Sequence, residues 1–554
     1  METAPLLSSS TETNFAMKQR DDQSLAIAAE ASIDKVGPMA SPSSQFPRTV
    51  SLDIMSTKPP SKKQRVMSSS LSSIHASSPF LNQSYTNLIS EHSSSVLFAT
   101  DEWFARAENI IQNSDPVFIP DLYCPQGKVM DGWETRRKRS EGHDWCVIAT
   151  NLGREQNDHN SIVNDVVGIE VDTAYFTGNQ TPRISIEVAN CYSSTNHRNE
   201  DEDEEWMYSW MPGAVKRLIQ GGGIQGTGQT PQQVQKAEKA CKQFKWSEIL
   251  PMTTLRPGYD ESRMHYYMLD DETRERARGF THVRINYFPD GGVARLRLWG
   301  HTQVNHQSSS STSVLGYSEA NHSSASSVGA LSDDTPIVPS SIPYHHPELS
   351  LSTNGGIGLT CSNKHYGVPD NLIRPTYGKD MGDGWETARH PDRPPILIKN
   401  PETNLIENPL MDWAVIKLGM GGAAENDGIS RIIIDTKHFK GNFPESVMVE
   451  GCNANVYQSS DDDVCAATPE ANCNNVEWFP LLRRTKMGPD CEHVFDKDDE
   501  QLSNCNRAVT HIRVSIFPDG GISRVRIYGQ PAMILDQKSC DEVDNTVIDA
   551  AHVI

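Results

Sequence analysis

The chain is written twice. Asp131-Gly132-Trp133-Glu134-Thr135 returns as Asp383-Gly384-Trp385-Glu386-Thr387. Asp144-Trp145 returns as Asp412-Trp413, and a hydrophobic pair follows each, Val147-Ile148 and Val415-Ile416. Asp172-Thr173 through Phe176 to Gly178-Asn179 matches Asp435-Thr436 through Phe439 to Gly441-Asn442. Trp246 and Trp478 open segments of similar Leu and Arg content. Thr281-His282-Val283-Arg284, Phe288-Pro289-Asp290-Gly291-Gly292, Arg295, Arg297 and Gly300 match Thr510-His511-Ile512-Arg513, Phe517-Pro518-Asp519-Gly520-Gly521, Arg524, Arg526 and Gly529. The blocks keep one order in both halves, so the chain holds two related domains.

Within each copy the local pattern is that of strands. Val283, Ile285 and Tyr287 alternate with His282, Arg284 and Asn286, and Leu296 and Leu298 alternate with Arg295 and Arg297. The Pro289-Asp290-Gly291-Gly292 segment between them predicts a hairpin with one buried face. Ile184, Ile186 and Val188 alternate in the same way. Helical periodicity is scarce, the best piece being Phe104 to Ile111. Short strands separated by turn signals predict an all-β chain, with an antiparallel β-sandwich in each repeat.

The first repeat spans about 83–300 and the second 346–530. Residues 1–82 are rich in Ser, Thr and Pro and read as a disordered tail. Lys62, Lys63 and Arg65 form a short basic cluster in it. A polar insertion occupies about 193–243, with the acidic run Glu200 to Glu205 and the glycine cluster Gly221 to Gly228. Gly221 to Gly226 is formally a G-x-G-x-x-G, but Gln-rich sequence follows it where a dinucleotide site needs a helix packed on a strand. The segment is therefore read as flexible. A Ser-rich linker covers 301–345 and a tail covers 531–554. Only 36% of the 554 residues are hydrophobic, in keeping with segments that never fold. A net charge of −22 argues against a general nucleic-acid binder. No apolar run approaches the ~18–20 residues of a membrane span, and no secretory signal opens the chain. The 11 cysteines form no Cys-x-x-Cys pair, which fits reduced thiols in the cytoplasm.

The polar residues that recur in both copies are the candidates for chemistry. The carboxylates are Asp131, Glu134, Asp144 and Asp172, with partners Asp383, Glu386, Asp412 and Asp435. The cations are Arg137, His282, Arg284, Arg295 and Arg297, with partners Arg389, His511, Arg513, Arg524 and Arg526. A carboxylate and a His serve as general acid and base, and Arg suits bidentate grip of a carboxylate. The same residues also suit scaffolding, since a repeated domain repeats its turns and ion pairs too. Among the departures between copies, His143 faces Met411 and Tyr175 faces His438. There is no Gly-x-Ser-x-Gly, His-Glu-x-x-His or P-loop, and no closed metal-ligand spacing among the acids.

Taken together, Asp-Gly-Trp-Glu-Thr-x-Arg at Asp131 to Arg137, His143-Asp144-Trp145, Asp172 to Asn179 and Phe288 to Arg297 resemble the allantoicase family, as do their second copies. Ala99 to Ala105 is similar to that family's opening block, with Cys361 to Gly367 as its counterpart. The resemblance implies two jelly-roll repeats of the galactose-binding type and hydrolysis of allantoate to ureidoglycolate and urea in allantoin breakdown. It also implies a homo-oligomer acting on a small molecule, with no cofactor, nucleic acid or membrane involved. For that reaction Glu134, His282, Glu386 and His511 are the candidate acid–base groups. Arg137, Arg284, Arg389 and Arg513, with Asp131 and Asp383, are the candidates for holding substrate. A sandwich that only binds sugar or another small ligand is the alternative, because fold alone never fixes function.

Overall fold

The computed structural model describes residues 78–80, 85–150, 155–156, 160–191, 208–304, 346–424, 428–469 and 476–532. Each half is a β-sandwich with antiparallel sheets. In the first, a five-stranded sheet runs in the order Ser247–Thr254, Arg183–Ala189, His282–Phe288, Asp144–Thr150, Ser94–Ala99. Its partner sheet runs Thr86–Asn87, Arg295–Val304, Asn160–Asp172, Met264–Met268. In the second, Ile357–Cys361, Asp412–Gly422, Val509–Phe517, Ser446–Cys452 and Phe479–Lys486 face Glu492–Asp496, Arg431–Asp435 and Arg524–Tyr528. The expected helical piece near Phe104 is a short 3-10 turn, Ala107–Ile111. No helix among the described residues is long and apolar enough to cross a membrane.

The alternating apolar positions meet in the core. Ile148, Ile186, Val283 and Ile285 from one sheet pack against Ile169, Val171, Leu296 and Leu298 from the other. The Pro-Asp-Gly-Gly segment, however, does not close a hairpin. His282–Phe288 and Arg295–Val304 lie in opposite sheets, and Gly292–Val293 instead pairs with Trp133–Glu134. Alternation says that one face of each strand is buried. It does not say that the two strands are neighbours, and here they bury their faces in one core from opposite sides.

The strand Asp144–Thr150 is apolar without interruption from Trp145 to Ala149, so both of its faces need cover. Cys146 and Ile148 enter the sandwich core. Trp145, Val147 and Ala149 point outward, where Met211, Ala214, Ala237 and Cys241 cover them. Those last residues belong to the segment read above as a flexible insertion. It is structured from 208 onward, with helices Ala214–Ile219 and Pro231–Cys241. The second helix carries a capping box: Gln233 N–H donates to Thr230 Oγ1 at 3.3 Å, and Thr230 N–H donates to Gln233 Oε1 at 2.8 Å. The glycine cluster is fixed as well. Gly221, Gly222 and Gly226 sit at φ of 75°, 115° and 84°, and Gly223 N–H donates to Glu108 Oε1 at 2.9 Å. Arg217 forks into Glu102 at 2.6 and 2.7 Å and anchors the first helix to the sandwich. The second half covers Trp413 and Val415 with Ala454, Val464 and Ala467 in the same manner.

Order also begins earlier than the sequence pattern indicates. Ser78 and Phe80, inside the stretch read as tail, are buried. Ser78 Oγ donates to Glu170 Oε2 at 3.0 Å, and Phe80 stacks on Trp299 at 6.2 Å between ring centroids. Gly168 makes room for the ring, since a Cβ there would stand 2.2 Å from Phe80. One aromatic in a Ser-rich stretch has no period to betray it. Residues 1–77, the Lys62–Arg65 cluster, the Glu200–Glu205 run, 305–345 and 533–554 lie outside the described residues. Removing residues 1–80 rather than 1–77 should lower stability by about 3–5 kcal/mol, the usual range for emptying a buried Phe site. Denaturant melts of the two truncated chains measure the difference, and coincident curves would contradict the packing of Phe80.

Candidate active site

The repeated blocks converge where the two sandwiches meet. Trp133–Glu134 is a two-residue strand, so its side chains point to opposite faces. Trp133 is fully buried and its indole N–H donates to Asp101 O at 2.8 Å, leaving Glu134 turned toward the second repeat. Trp385–Glu386 repeats this, with the Trp385 indole donating to Asn363 O at 2.9 Å. The pairing strands begin at Gly292 and Gly521. Phe176 and Phe439 press on those glycines so closely that a Cβ at either would meet the ring at 2.1 Å. The Asp-Thr pairs turn the chain toward the site. Asp172 accepts from Ala174 N–H at 2.8 Å and Asp435 from Lys437 N–H at 2.7 Å. Asn179 and Asn442 follow, and their side-chain amides donate to Glu134 Oε1 at 2.8 Å and Glu386 Oε1 at 2.7 Å.

The two repeats then exchange arginines. Arg137 donates to Asp519 Oδ1 at 2.6 Å, Thr387 O at 2.6 Å and Glu386 Oε1 at 3.0 Å, all in the second repeat. Arg389 returns the contact, donating to Asp290, to Thr135 O at 2.8 Å and to Glu134 Oε1 at 3.4 Å. Backbone bonds cross too, Arg137 N–H to Gly441 O at 3.0 Å and Arg389 N–H to Gly178 O at 2.8 Å. Asp290 and Asp519 are fully buried. Burial alone would raise their pKa values, but Arg393 and Arg389 hold Asp290 well below the usual carboxylate range, and Arg393 and Arg137 hold Asp519 at about 2.

Between these contacts lies a cavity of about 170 Å³. Glu134, Asn179 and Arg389 line one side, Glu386, Asn442 and Arg137 the other, and Phe104, Tyr123, Lys128, Met130, Tyr366 and Met381 complete the wall. The two carboxyl groups differ. Glu386 sits 3.0 Å from its arginine, whereas Glu134 is 3.4 Å from Arg389. Burial pushes Glu134 up to about 7, against the opposing pull of Arg389 and Asn179. A carboxyl group that titrates near neutrality in a cleft is suited to give and take a proton. Asn442 Oδ1 is buried and has no hydrogen-bond partner among the described residues, an acceptor open to a ligand. Among the same residues, no group of three or more His, Cys, Asp or Glu is placed to hold a metal ion.

Of the residues singled out in the sequence, the cavity brings together Glu134, Glu386, Arg137 and Arg389. His282 and His511 do not join them. His282 opens its strand and His511 is the third residue of Val509–Phe517, and both strands end near Asp290 and Asp519, so the histidines lie toward the far ends, with His282 next to Thr281 Oγ1 at 2.8 Å and His511 at 3.4 Å from Asp461. Arg284 and Arg513 are on the outer faces, over Trp145 and Trp478, paired with Glu238 and Glu450. Asp131 and Asp383 hold Arg295 and Arg524, each at 2.8 Å. His143 bonds Asn286 and His438 bonds Gly378 O, both away from the cavity lining. Sequence reasoning missed Asn179, Asn442 and Lys128 as site residues, and took Asp290 and Asp519 for turn residues. The asparagines and aspartates did carry a signal, recurrence in both copies. Lys128 carried a weaker one, since Gly127-Lys128-Val129-Met130 returns as Gly378-Lys379-Asp380-Met381 with one residue more before the Asp-Gly-Trp.

The allantoicase-repeat family model matches residues 86–303 and 347–532. A protein of Pseudomonas paraeruginosa described as a probable allantoicase is 31% identical over 440 residues, 79% of this chain and 94% of its own. A probable allantoicase of Photobacterium profundum is 31% identical over 433 residues, covering 78% of this chain and 92% of its own. The crystal structure of an allantoicase from Saccharomyces cerevisiae is 27% identical and covers 83% of this chain and 98% of that one, with a TM-score of 0.26, too low to bear on the fold.

The exchanged arginines predict a large cost when one counter-charge is removed. Asp519→Asn leaves Arg137 and Arg393 buried beside a neutral amide, and should lower stability by about 3–5 kcal/mol. Equilibrium unfolding in urea measures it. A loss within a few tenths of a kcal/mol would mean that the pair does not hold the repeats together.

Proposed function

Since the chain belongs to the allantoicase family, we propose that the cavity between its repeats is where it hydrolyses allantoate to ureidoglycolate and urea, a step of allantoin breakdown in purine degradation. The observation that carries this assignment is the doubled lining. Allantoate has a central carbon bearing a carboxylate, a hydrogen and two identical ureido groups. Two like arms meet two like sets of side chains, Glu134 with Asn179 and Glu386 with Asn442. Ureido N–H groups donate, and the carboxyl oxygens and the unpartnered Asn442 Oδ1 accept.

Urea leaves only if its departing nitrogen is protonated. Glu134, with its proton retained up to about pH 7, supplies that proton. The C–N bond breaks and its electron pair goes to the nitrogen. The lone pair on the surviving ureido nitrogen closes a C=N bond, and positive charge develops on that arm. The Glu386 carboxylate, ion-paired with Arg137, stands beside it. Water adds to the carbon and returns a proton to Glu134, which restores the starting state. Arg137 and Arg389 act here by orienting the two carboxyl groups. A module that only binds sugar has no use for such a carboxyl group, and that reading is not favoured. The described cysteines, Cys191 and Cys241 among them, are free thiols, which fits the cytoplasmic location we assign.

Purified protein given allantoate should release urea and ureidoglycolate, with no ammonia as a primary product. Ammonia as the first nitrogen product would contradict the assigned reaction. Glu134→Gln should lower kcat by about 10²–10⁴-fold, and kcat/KM of the parent should fall as pH rises through about 7, where Glu134 loses its proton. Stability runs in the same direction. The folded pKa of about 7 exceeds the ordinary 4.5, so this group's contribution is full at low pH and declines as pH rises through about 7. Glu134→Gln removes that decline and should melt no lower than the parent at pH 8. Activity and melting temperature that fall together in this variant would make Glu134 a scaffold residue instead.

A further inference from the structure

The lining of the cavity is doubled in every charged position but one. Lys128 comes from the small hairpin Tyr123–Cys124 and Gly127–Lys128 of the first repeat. The residues that the second repeat contributes, among them Tyr366, Met381, Glu386, Arg389 and Asn442, include no lysine. Lys128 is also the one cation of the lining that no carboxylate among the described residues neutralises. Arg137 is committed to Asp519 and Glu386, and Arg389 to Asp290 and Glu134. The Lys128 ammonium is instead flanked by aromatic rings, 4.9 Å from the centroid of Phe118 and 5.7 Å from that of Tyr123. Such contacts attract a cation to the negative faces of the rings. They position the charge without cancelling it.

The reaction assigned above needs a cation placed in this way. Its substrate is a monoanion with two identical arms, and replacing one arm by hydroxyl makes the central carbon a stereocentre. Two equivalent sets of side chains cannot by themselves decide which arm departs, because a half-turn of the substrate exchanges the arms. A third contact off the pseudo-two-fold axis removes that freedom. Resting on the reading of this cavity as the allantoate site, we infer that Lys128 binds the substrate carboxylate and, by breaking the symmetry of the pocket, selects the ureido arm that faces Glu134 for departure. With the carboxylate held at Lys128 and the surviving arm at Glu386 and Asn442, the planar C=N intermediate cannot turn over. Water therefore enters from the side of Glu134, and one enantiomer of ureidoglycolate forms. This moves the carboxylate contact from the arginines expected in the sequence to a lysine whose counterpart, Lys379, is not in the lining.

The test uses the full chain with Lys128→Gln and Lys128→Arg, two substrates and a chiral readout. The substrates are allantoate and its primary amide, in which the carboxylate is replaced by a neutral carboxamide. Ureidoglycolate is analysed by chiral chromatography at early time. Lys128→Gln should raise KM for allantoate by roughly 10- to 100-fold, as for loss of a charge-assisted hydrogen bond, with a smaller change in kcat. It should also lower the enantiomeric excess of the product and shrink the preference for allantoate over the amide. Lys128→Arg should retain most of both preferences. A Gln variant that melts like the parent and keeps its KM, enantiomeric excess and acid-over-amide preference would overturn the assignment. If Lys128→Gln folds poorly, the parent decides alone: equal kcat/KM for allantoate and its amide would overturn it as well. A parent that releases no urea from allantoate would overturn the reading of the reaction, and this inference with it.

Discussion

Everything at the centre of this protein depends on two buried arginines that each repeat lends to the other. Arg137 ends on Asp519 and Arg389 on Asp290, and both aspartates are fully buried. An aspartate so placed is costly unless a charge meets it. Asp290 draws both of its arginines, Arg389 and Arg393, from the second repeat, and Asp519 takes Arg137 from the first beside Arg393 of its own repeat, so neither repeat's motif is complete alone. The duplication is then more than a doubling of scaffold. The Arg that ends Asp-Gly-Trp-Glu-Thr-x-Arg in one copy is the partner of the Asp in Phe-Pro-Asp-Gly-Gly of the other. The same arginines pass the constraint outward, because their remaining nitrogens fix Glu134 and Glu386 in the cavity wall.

A pocket built by such an exchange starts out symmetric, and its chemistry comes from the departures. Glu134 is held more loosely than Glu386 and buried deeply enough to keep a proton near neutrality. Lys128 stands on one side only. One carboxyl group is thereby fitted to donate a proton and the other to face the positive charge that results. A substrate with two equal arms and one carboxylate has the complementary pattern.

Much of this was legible in the sequence, and what was not has identifiable physical causes. The alternation at Val283, Ile285 and Tyr287 is a direct record of a half-buried face, and the structure places those side chains in the core. The same alternation carries no information on sheet partners, so Pro289 to Gly292 looked like a hairpin turn when it crosses between sheets. The insertion looked flexible because Gln-rich helices are polar on most sides. Its order comes from a few small residues, Ala214, Ala237 and Cys241, that the apolar run from Trp145 to Ala149 required. Recurrence led to Glu134, Glu386, Arg137 and Arg389, but it led equally to His282 and His511, since a repeated strand repeats both of its ends. Lys128 has a counterpart in Lys379 of Gly378-Lys379-Asp380-Met381, but one extra residue separates that block from Asp383, and only Lys128 stands against the cavity.

The central claim is that both repeats hold one molecule of substrate between them. A crystal structure of the Glu134→Gln variant soaked with allantoate tests it most directly. The account predicts one allantoate in the cavity, with a ureido arm on residue 134 and Asn179, the other arm on Glu386 and Asn442, and its carboxylate at Lys128. Allantoate bound wholly within one sandwich, or on an outer face beside His282 or His511, would contradict it.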